Sequence, residues 1–368
     1  MLKASIDLGA FRRNHQSIKQ IVGKNVAVLP VIKADAYGHG MIRMAKEALK
    51  LGAPVLGAGT LDEGILIRQE KIASPVLLLD GIFPDQAEDA VKYRLTPVVF
   101  SVDSARELDK IGKKKARKIP IHIKFDTGMG RIGWTMSDSA KALEQLVKLK
   151  NLQVEGIMTH LASSADLGSP QTDHQLMRFN AVLAEARRAG LAPTYVHAAN
   201  SGGVINHKPS HFTMVRPGIS LYGYPPSETK GVEFEEVMTV TSKLLSVKDV
   251  QQGEGVGYGA TYITPRIKKI GVVMGGYADG VNRLLSNKGS VVINERAVPI
   301  LGMVCMDNFM VDLSKCSGAK PGDEVVLLGG GHEETSAEKL AELTGTISYE
   351  VLCRMGSGPR ITRNYVNG

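Results

Sequence analysis

The sequence has few cysteines and no long apolar run. Its three cysteines, Cys305, Cys316 and Cys353, are too few and too widely spaced for a disulfide framework or a CxxC metal site. No stretch approaches the roughly 20 consecutive apolar residues of a membrane helix, and the N-terminal MLKASIDLGAFRRN lacks the apolar segment of a secretory signal. We therefore expect a cytoplasmic protein with free thiols, no membrane partner and no metal site.

Charge of one sign is only slightly in excess, with a formal net charge of +8 over 368 residues. The densest basic run, KKKARK at 113–118, has no interleaved aromatic residues, so a solvated loop is favoured over a nucleic-acid surface. A positive field can instead attract an anionic small molecule. We expect no nucleic-acid partner.

Short β-branched runs alternate with segments of helical period from about residue 26 to 220. Segments 40–51, 138–150 and 171–188 place apolar residues three and four apart, as helices do. Eight candidate strands lie at 26–32, 54–58, 75–79, 96–100, 119–125, 154–159, 194–198 and 213–216. This α/β alternation predicts a closed (β/α)8 TIM barrel, with an open doubly wound sheet as the alternative.

The pattern changes after Tyr224, where short β-rich segments are separated by turn signals. One helix is predicted over 336–343, capped by Thr335 or Ser336. We predict a barrel domain over 9–230 and a C-terminal mostly-β domain formed by 231–368 together with residues 1–8. Its candidate strands are 237–250, 270–274, 290–293, 298–303 and 324–328.

Chemically active side chains follow the predicted barrel strands, whose carboxyl ends form the active site in this fold. The first strand, in VIKADAYGHG, ends on Lys33, and a lysine among apolar walls and other cations can form a Schiff base with an aldehyde. Taken alone, a lysine reaching out to solvent is the better explanation of Lys33. The other strand-end candidates are Tyr37, Lys124, Arg131, His160, His197, Asn200, Ser201, Arg216, Gly218 and Ile219.

Nine motifs resemble those of the alanine racemases in order and approximate spacing. They are VIKADAYGHG, KFDTGMGRIG, MTHLASSAD, HAANSGG, VRPGISLYG, VGYGATY, GYADGVNR, GMVCMDNFMVDL and ISYEVLC. That family consists of dimeric pyridoxal-phosphate enzymes with a barrel and a C-terminal β-domain. The resemblance implies interconversion of L- and D-alanine, which supplies D-alanine for peptidoglycan, in a homodimer with shared active sites.

The resemblance implies two catalytic bases on opposite faces of the substrate. Lys33 is expected to hold the cofactor as a Schiff base and to act on one face, and Tyr258 of the partner subunit on the other. His160 is expected to hydrogen-bond that tyrosine and to connect with Arg216. Arg216 is expected to face the pyridine nitrogen, with His197 supporting it.

The remaining roles implied by the resemblance concern the phosphate, the substrate carboxylate and the entrance. Phosphate contacts are expected from Tyr37, Ser201 and the amides of Gly218 and Ile219, with Asn200 in the same turn. Substrate carboxylate contacts are expected from Arg131 and the amide of Met306. Lys124 matches a lysine that some relatives carry as a carbamate, and Tyr277 and Asp307 match residues at the entrance.

One segment departs from the expected pattern. Between Cys353 and Arg360 we expected a phosphate-binding tyrosine and find none, so the sequence predicts that Arg354 or Ser357 replaces it. Three alternatives to the function remain: a racemase of serine, lysine or arginine, a decarboxylase, and a non-catalytic carrier of the cofactor.

Overall fold

A computed structural model describes residues 2–226, 232–358 and 360–368. The predicted domain boundary at residues 230 and 231 lies outside the described residues, so the division stays a prediction. In the described part of the chain, no helix is both long and apolar enough to cross a membrane.

Eight short parallel strands form the N-terminal barrel, each at a position predicted from the sequence. They are Ala27–Val28, Leu56–Ala58, Val76–Leu78, Thr96–Val99, Ile119–Lys124, Leu152–Met158, Tyr195–His197 and Met214–Val215. The second to seventh pair in chain order, and the first pairs with the eighth. Val31 bridges to Gly57, and the Thr213 N–H donates to the Val196 carbonyl at 3.1 Å. The ring is therefore closed, which confirms the TIM barrel and excludes the open sheet.

The helices of the barrel lie outside this ring with their apolar faces inward. Their bounds are Leu8–Val22, Met41–Lys50, Leu61–Gln69, Ala87–Lys92, Val102–Lys114, Ser139–Leu146, Gln171–Arg188 and Ser201–Asn206. The helix at 171–188 buries Leu176, Phe179 and Leu183, the stripe expected from its periodicity, and each such side chain stabilises the fold by about 1.5–3 kcal/mol. The basic run at 113–118 is exposed, as predicted, although its first two residues end the helix Val102–Lys114 and do not lie in a loop.

The C-terminal part forms a second, antiparallel barrel. Strand Met238–Val250 pairs at its two ends with Glu324–Leu328 and with Lys268–Met274, which closes a ring of six strands. The other three members are Ser290–Ile293, Arg296–Leu301 and Asn308–Asp312. A separate hairpin joins Gly255–Val256 to Tyr262–Ile263. The predicted mostly-β domain is confirmed, although Asn308–Asp312 was not predicted as a strand.

Both chain ends join this second barrel. Strand Leu2–Asp7 pairs antiparallel with Met238–Val250 and parallel with Ile361–Val366. The helix that follows is capped by Asp7, whose carboxylate accepts the N–H groups of Gly9 and Ala10. The first strand and first helix therefore connect the two barrels.

Two helices follow the last strand of the six-stranded ring. Ala337–Thr344 begins after Ser336, whose hydroxyl accepts the Lys339 N–H at 3.1 Å, as an N-cap does. The second, Ser348–Gly356, was not predicted, and it lies against the mouth of the parallel barrel. Single 3-10 turns are found at Pro84–Gln86, Lys208–Ser210, Ile219–Tyr222, Tyr258–Ala260, Tyr277–Asp279, Arg283–Leu285 and Glu333–Thr335.

Candidate active site

A cavity of about 350 Å³ opens at the carboxyl ends of the parallel strands. It brings together ten of the residues that the sequence predicts for the site, which are Lys33, Tyr37, Lys124, Arg131, His160, Asn200, Ser201, Arg216, Gly218 and Ile219. It also contains residues that sequence reasoning missed, among them Asp80, Tyr349 and Cys353. Four cationic side chains line the cavity, against the single carboxylate of Asp80, so the site suits an anionic ligand.

Lys33 begins a short left-handed helical turn. The four residues from Ala34 to Tyr37 have φ between 51° and 55°, a conformation that costs roughly 1–2 kcal/mol for each residue with a Cβ. Such strain persists only where the surroundings hold it, and it is concentrated at functional sites. The turn directs Lys33 and Tyr37 into the same cavity.

Two acidic residues flank Lys33. The Glu63 carboxylate accepts the N–H groups of Ala34 and Gly59, each at 2.7 Å, and so holds the beginning of the turn. Asp80 Oδ1 lies 4.0 Å from Lys33 Nζ. The lysine therefore lies at the wall of the cavity beside a carboxylate, which argues against simple exposure to solvent.

An anion cradle lies at the end of the cavity next to Tyr37. Ser201 Oγ accepts hydrogen bonds from the N–H groups of Gly218 at 3.0 Å and Ser220 at 3.3 Å, and it lies 3.0 Å from the Ser220 hydroxyl. Its own proton is therefore available for a ligand, whereas the Gly218 N–H, expected to contact a phosphate, is bonded to Ser201. Ile219 starts a 3-10 turn, and its N–H has no acceptor within that turn. A side chain at Gly218 would meet Tyr37 Oη at 2.3 Å, so only glycine fits there.

Asn200 stabilises the turn that carries Ser201. Its Oδ1 accepts the Gly203 N–H at 3.1 Å and the Ser164 hydroxyl at 2.6 Å, which caps the helix that begins at Ser201. Burial raises the pKa of Tyr37 well above its usual range, so its phenol remains a proton donor at neutral pH.

Arg216 is a buried cation. Its guanidinium donates to His197 Nδ1 at 2.8 Å, to the Thr159 carbonyl at 2.8 Å and to the Ala198 carbonyl at 3.1 Å. No carboxylate pairs with it within 2–226, 232–358 or 360–368. Burial lowers the pKa of Arg216 to about 9, which leaves it charged at pH 7.

The hydrogen bonds of Arg216 fix the tautomers of three histidines. Because His197 Nδ1 accepts from Arg216, a neutral His197 carries its proton on Nε2, which lies 2.8 Å from His122 Nδ1. His160 Nδ1 lies 3.3 Å from the same guanidinium, so its Nε2–H is free to face the cavity. Burial, followed by the charge of Arg216, lowers the pKa of His160 and of His197, which keeps both neutral.

Lys124 ends the fifth barrel strand and is 4% exposed. Burial, followed by the charges of Arg216 and Arg131, lowers its pKa to about 7. About half of the amine is therefore unprotonated at neutral pH and can react with an electrophile.

The predicted site residues of the β-domain do not line this cavity. Tyr258 is 75% exposed and lies beside a separate groove with Cys305, Asn308 and Met310. Met306 and Tyr277 are also exposed. Asp307 forms an ion pair with Arg360 at 2.6 Å. One chain by itself thus does not bring Tyr258 to Lys33.

Comparison with known proteins adds to this geometry. The alanine racemase N-terminal domain model matches residues 6–226, and the C-terminal domain model matches residues 237–365. The chain belongs to the alanine racemase family. The alanine racemase of Halothermothrix orenii is 38% identical over 99% of this chain and 96% of its own length.

Solved alanine racemases have the same fold. The enzyme of Clostridium difficile 630 superimposes with a TM-score of 0.94 at 34% identity, covering 100% of this chain and 96% of that one. The enzyme of Bartonella henselae, described with covalently bound pyridoxal phosphate, gives 0.91 at 29% identity over 99% of both chains. The predicted activity, racemisation of alanine by a pyridoxal-phosphate enzyme, is confirmed, and a non-catalytic carrier is excluded.

The lining of the cavity does not support the predicted replacement of a phosphate-binding tyrosine by Arg354 or Ser357, which stays a prediction. Neither Arg354 nor Ser357 lines the cavity, and Arg354 forms an ion pair with Glu350 at 2.7 Å. Tyr349 lines the cavity, with its ring centroid 6.0 Å from that of Tyr37. A tyrosine is therefore present at this wall, one helical turn before Cys353, where the missed helix places it.

Proposed function

We propose that this chain holds pyridoxal phosphate through Lys33 and racemises alanine with two bases, Lys33 and Tyr258 of the partner subunit. The observation that carries the proposal is the convergence of Lys33, Arg216 and the Ser201–Gly218 cradle on one cavity. An amine, a buried cation and an anion cradle are the three groups that an aldehyde, a pyridine nitrogen and a phosphate require.

The chemistry of the donors fits this cofactor. Gly218 leaves room that any side chain would fill, and the Ser201 hydroxyl and the Ile219 amide have protons to donate. Arg216 has a buried positive charge without a carboxylate in the described segments, so it needs an electron-rich partner. Tyr349 completes the phosphate end beside Tyr37.

When bound, pyridoxal phosphate withdraws electrons from the substrate α-carbon and makes the α-proton removable. Lys33 takes or delivers the proton on one face and Tyr258 on the other, so both enantiomers are formed. The Nε2–H of His160, held in this tautomer by Arg216, supports Tyr258 in this role by donating a hydrogen bond to its oxygen.

Arg216 keeps the electron withdrawal moderate. Its guanidinium stays protonated at neutral pH and donates a hydrogen bond towards the ring nitrogen without transferring a proton. This favours return of the proton to the α-carbon over transamination. His197 orients the guanidinium at 2.8 Å. Arg131 and the Met306 amide bind the substrate carboxylate.

Two subunits complete each site in this proposal. Tyr258, Met306 and Tyr277 are exposed in the single chain, and residues of this kind become buried where a second β-domain covers a barrel mouth. Tyr277 and Asp307 then line the entrance. The barrel domain, 9–230, holds the cofactor. The β-domain, 231–368 with residues 1–8, contributes residues to the partner's site.

The proposed setting is the cytoplasm, where the enzyme supplies D-alanine for peptidoglycan and has no nucleic-acid or membrane partner. Substrate choice is tested with purified protein and single enantiomers of alanine, serine, lysine and arginine. We expect the highest kcat/KM with alanine. A higher kcat/KM with lysine or arginine would replace this proposal with the broader racemase.

The shared site is tested by mixing two inactive variants, Lys33→Ala and Tyr258→Phe, after subunit exchange. Random exchange in a two-fold dimer leaves about a quarter of the sites with both bases intact. We expect about that fraction of wild-type activity to return. No recovery, with heterodimers present by mass spectrometry, would contradict a shared site.

A further inference from the structure

Arg363, on the C-terminal strand Ile361–Val366, contacts the left-handed turn that follows Lys33. Arg363 Nε donates to the Gly38 carbonyl at 3.0 Å, and its Nη2 forms an ion pair with the Asp35 carboxylate. The same guanidinium donates to the Gly356 carbonyl at 2.7 Å. Arg363 therefore binds two segments that are distant in sequence.

Those two segments form facing walls of the cavity. The turn after Lys33 carries Tyr37, and the helix Ser348–Gly356 carries Tyr349. The segments meet without intervening side chains, because a Cβ at Gly356 would lie 2.4 Å from the Gly38 carbonyl oxygen. Tyr365 adds a second bond from the strand, its hydroxyl donating to the His39 carbonyl at 3.2 Å.

A guanidinium is well suited to fix a spacing of this kind. Its donors lie in a rigid plane, and it remains charged at all relevant pH values. The Arg363 side chain is 24% exposed, so most of it is held among its acceptors. Loss of the planar guanidinium leaves the Gly38 and Gly356 carbonyl oxygens without their hydrogen-bond donor. The turn after Lys33 and the helix Ser348–Gly356 are then free to separate.

We infer that Arg363 is a positioning residue that sets the distance between Tyr37 and Tyr349 and thereby shapes the phosphate end of the cavity. This inference rests on the proposed function, because it takes the cavity to hold pyridoxal phosphate. Lys33 is held separately, through the bond from the Ala34 N–H to Glu63. Arg363 therefore affects the shape of the phosphate end of the cavity more than the position of the Lys33 amine.

The test compares two ligands that differ only in the phosphate. Full-length protein freed of cofactor is titrated with pyridoxal phosphate and with pyridoxal, following the visible absorbance of the lysine adduct. Arg363→Lys keeps the positive charge but removes the planar set of guanidinium donors. Asp35→Asn removes the ion pair but keeps an oxygen for the Met41 N–H. We expect both to raise the Kd of pyridoxal phosphate at least about tenfold and to leave that of pyridoxal within about twofold.

The matched control is Arg13→Ala. Arg13 forms a two-pronged ion pair with Glu235 at 2.6 and 2.8 Å, away from the cavity, and its loss is expected to change neither Kd. Equal weakening of both ligands, or no weakening of either, would overturn the role of Arg363. Wild-type protein that binds neither ligand would overturn the proposed function itself, and the inference with it. Melting temperatures check that each variant is folded.

Discussion

Arg216 and His197 are joined by a hydrogen bond of 2.8 Å that directs a buried guanidinium into the cavity. Its direction, from arginine to Nδ1, sets the proton positions of His197 and, through Nε2, of its contact with His122. Among the residues that the structure describes, this buried cation is thus oriented by neutral histidines and not by a carboxylate. This arrangement suits an enzyme that moves one proton and avoids other chemistry.

Exchange of Arg216 for glutamate is expected to change the reaction. A carboxylic acid in this place can protonate the ring nitrogen, which strengthens electron withdrawal and favours transamination. We expect racemisation to fall about 10²-fold or more, as when one charge-stabilising donor is removed, with more pyruvate formed per turnover. Arg216→Lys, which keeps the cation, should lose activity without that gain. An equal amount of pyruvate formed per turnover in both variants would contradict the proposed role of Arg216.

Tyr258→Phe removes the proposed second base. Racemisation is expected to fall about 10²- to 10⁴-fold, while cofactor binding stays unchanged because the proposed cofactor contacts, Lys33, Arg216 and the Ser201–Gly218 cradle, all come from the barrel. In deuterium oxide, α-proton exchange should persist with only one enantiomer, the one served by Lys33. The matched control is Tyr262→Phe, in the same small hairpin. Normal racemisation by Tyr258→Phe would refute the two-base proposal.

Lys124 is expected to carry a carbamate. With its pKa lowered to about 7 by burial and then by Arg216 and Arg131, the neutral amine needed to react with carbon dioxide is well populated at neutral pH. The resulting anion would pair with the neighbouring cations. Carbon-13 NMR of protein equilibrated with labelled bicarbonate should show one carbamate signal that Lys124→Ala removes. A signal that survives in Lys124→Ala would assign it elsewhere.

Stability is expected to fall as the pH drops below 6.5. Burial lowers the pKa of His39 and of His122 to about 3, and that of His160 and His197 well below 6.5. The unfolded chain therefore binds more protons below 6.5, and each such histidine lowers the free energy of unfolding by up to about 1.4 kcal/mol per pH unit.

His15 and His211, whose pKa values burial also lowers, and Glu155 and Glu338, whose pKa values burial raises, contribute to the slope between pH 6.5 and 4.5 as well. A single-residue variant is therefore needed to measure the share of one histidine.

His39 lies outside the proposed proton path, and its Nδ1 hydrogen-bonds the carbonyls of Ala36 and Tyr37. His39→Gln removes the titrating group and keeps an amide that can donate to these carbonyls. Urea unfolding should give a shallower pH slope for this variant, by about one histidine's share. An unchanged slope would contradict the assignment of this pH dependence of stability to buried histidines.

The parallel barrel could be predicted because its signals are local. Each strand is a short apolar run, each long helix has its own period, and the closed ring follows from counting them. Local signals do not predict the strands Leu2–Asp7 and Ile361–Val366, because these strands pair with each other from opposite ends of the chain. The nine-residue helix Ser348–Gly356 is too short for its period to stand out, so Tyr349 was not expected at the cavity wall.

The candidate site was predictable in part for a similar reason. Residues at strand ends could be collected from the barrel rule alone, and Asp80, directly after the strand at 76–78, satisfies the same rule although it was overlooked. Glu63 and His122 carry no such signal. Glu63 lies on a helix and His122 within a strand, and only the closed barrel brings them to Ala34 and His197.

The central claim is that Lys33 holds the cofactor, and reduction with borohydride tests it most directly. Borohydride fixes a lysine–aldehyde adduct, and peptide mapping then identifies the residue that carries it. The account predicts one pyridoxyl group, on Lys33, and none in a Lys33→Ala variant. A pyridoxyl group on Lys124, or on any other lysine of the wild-type protein, would contradict it.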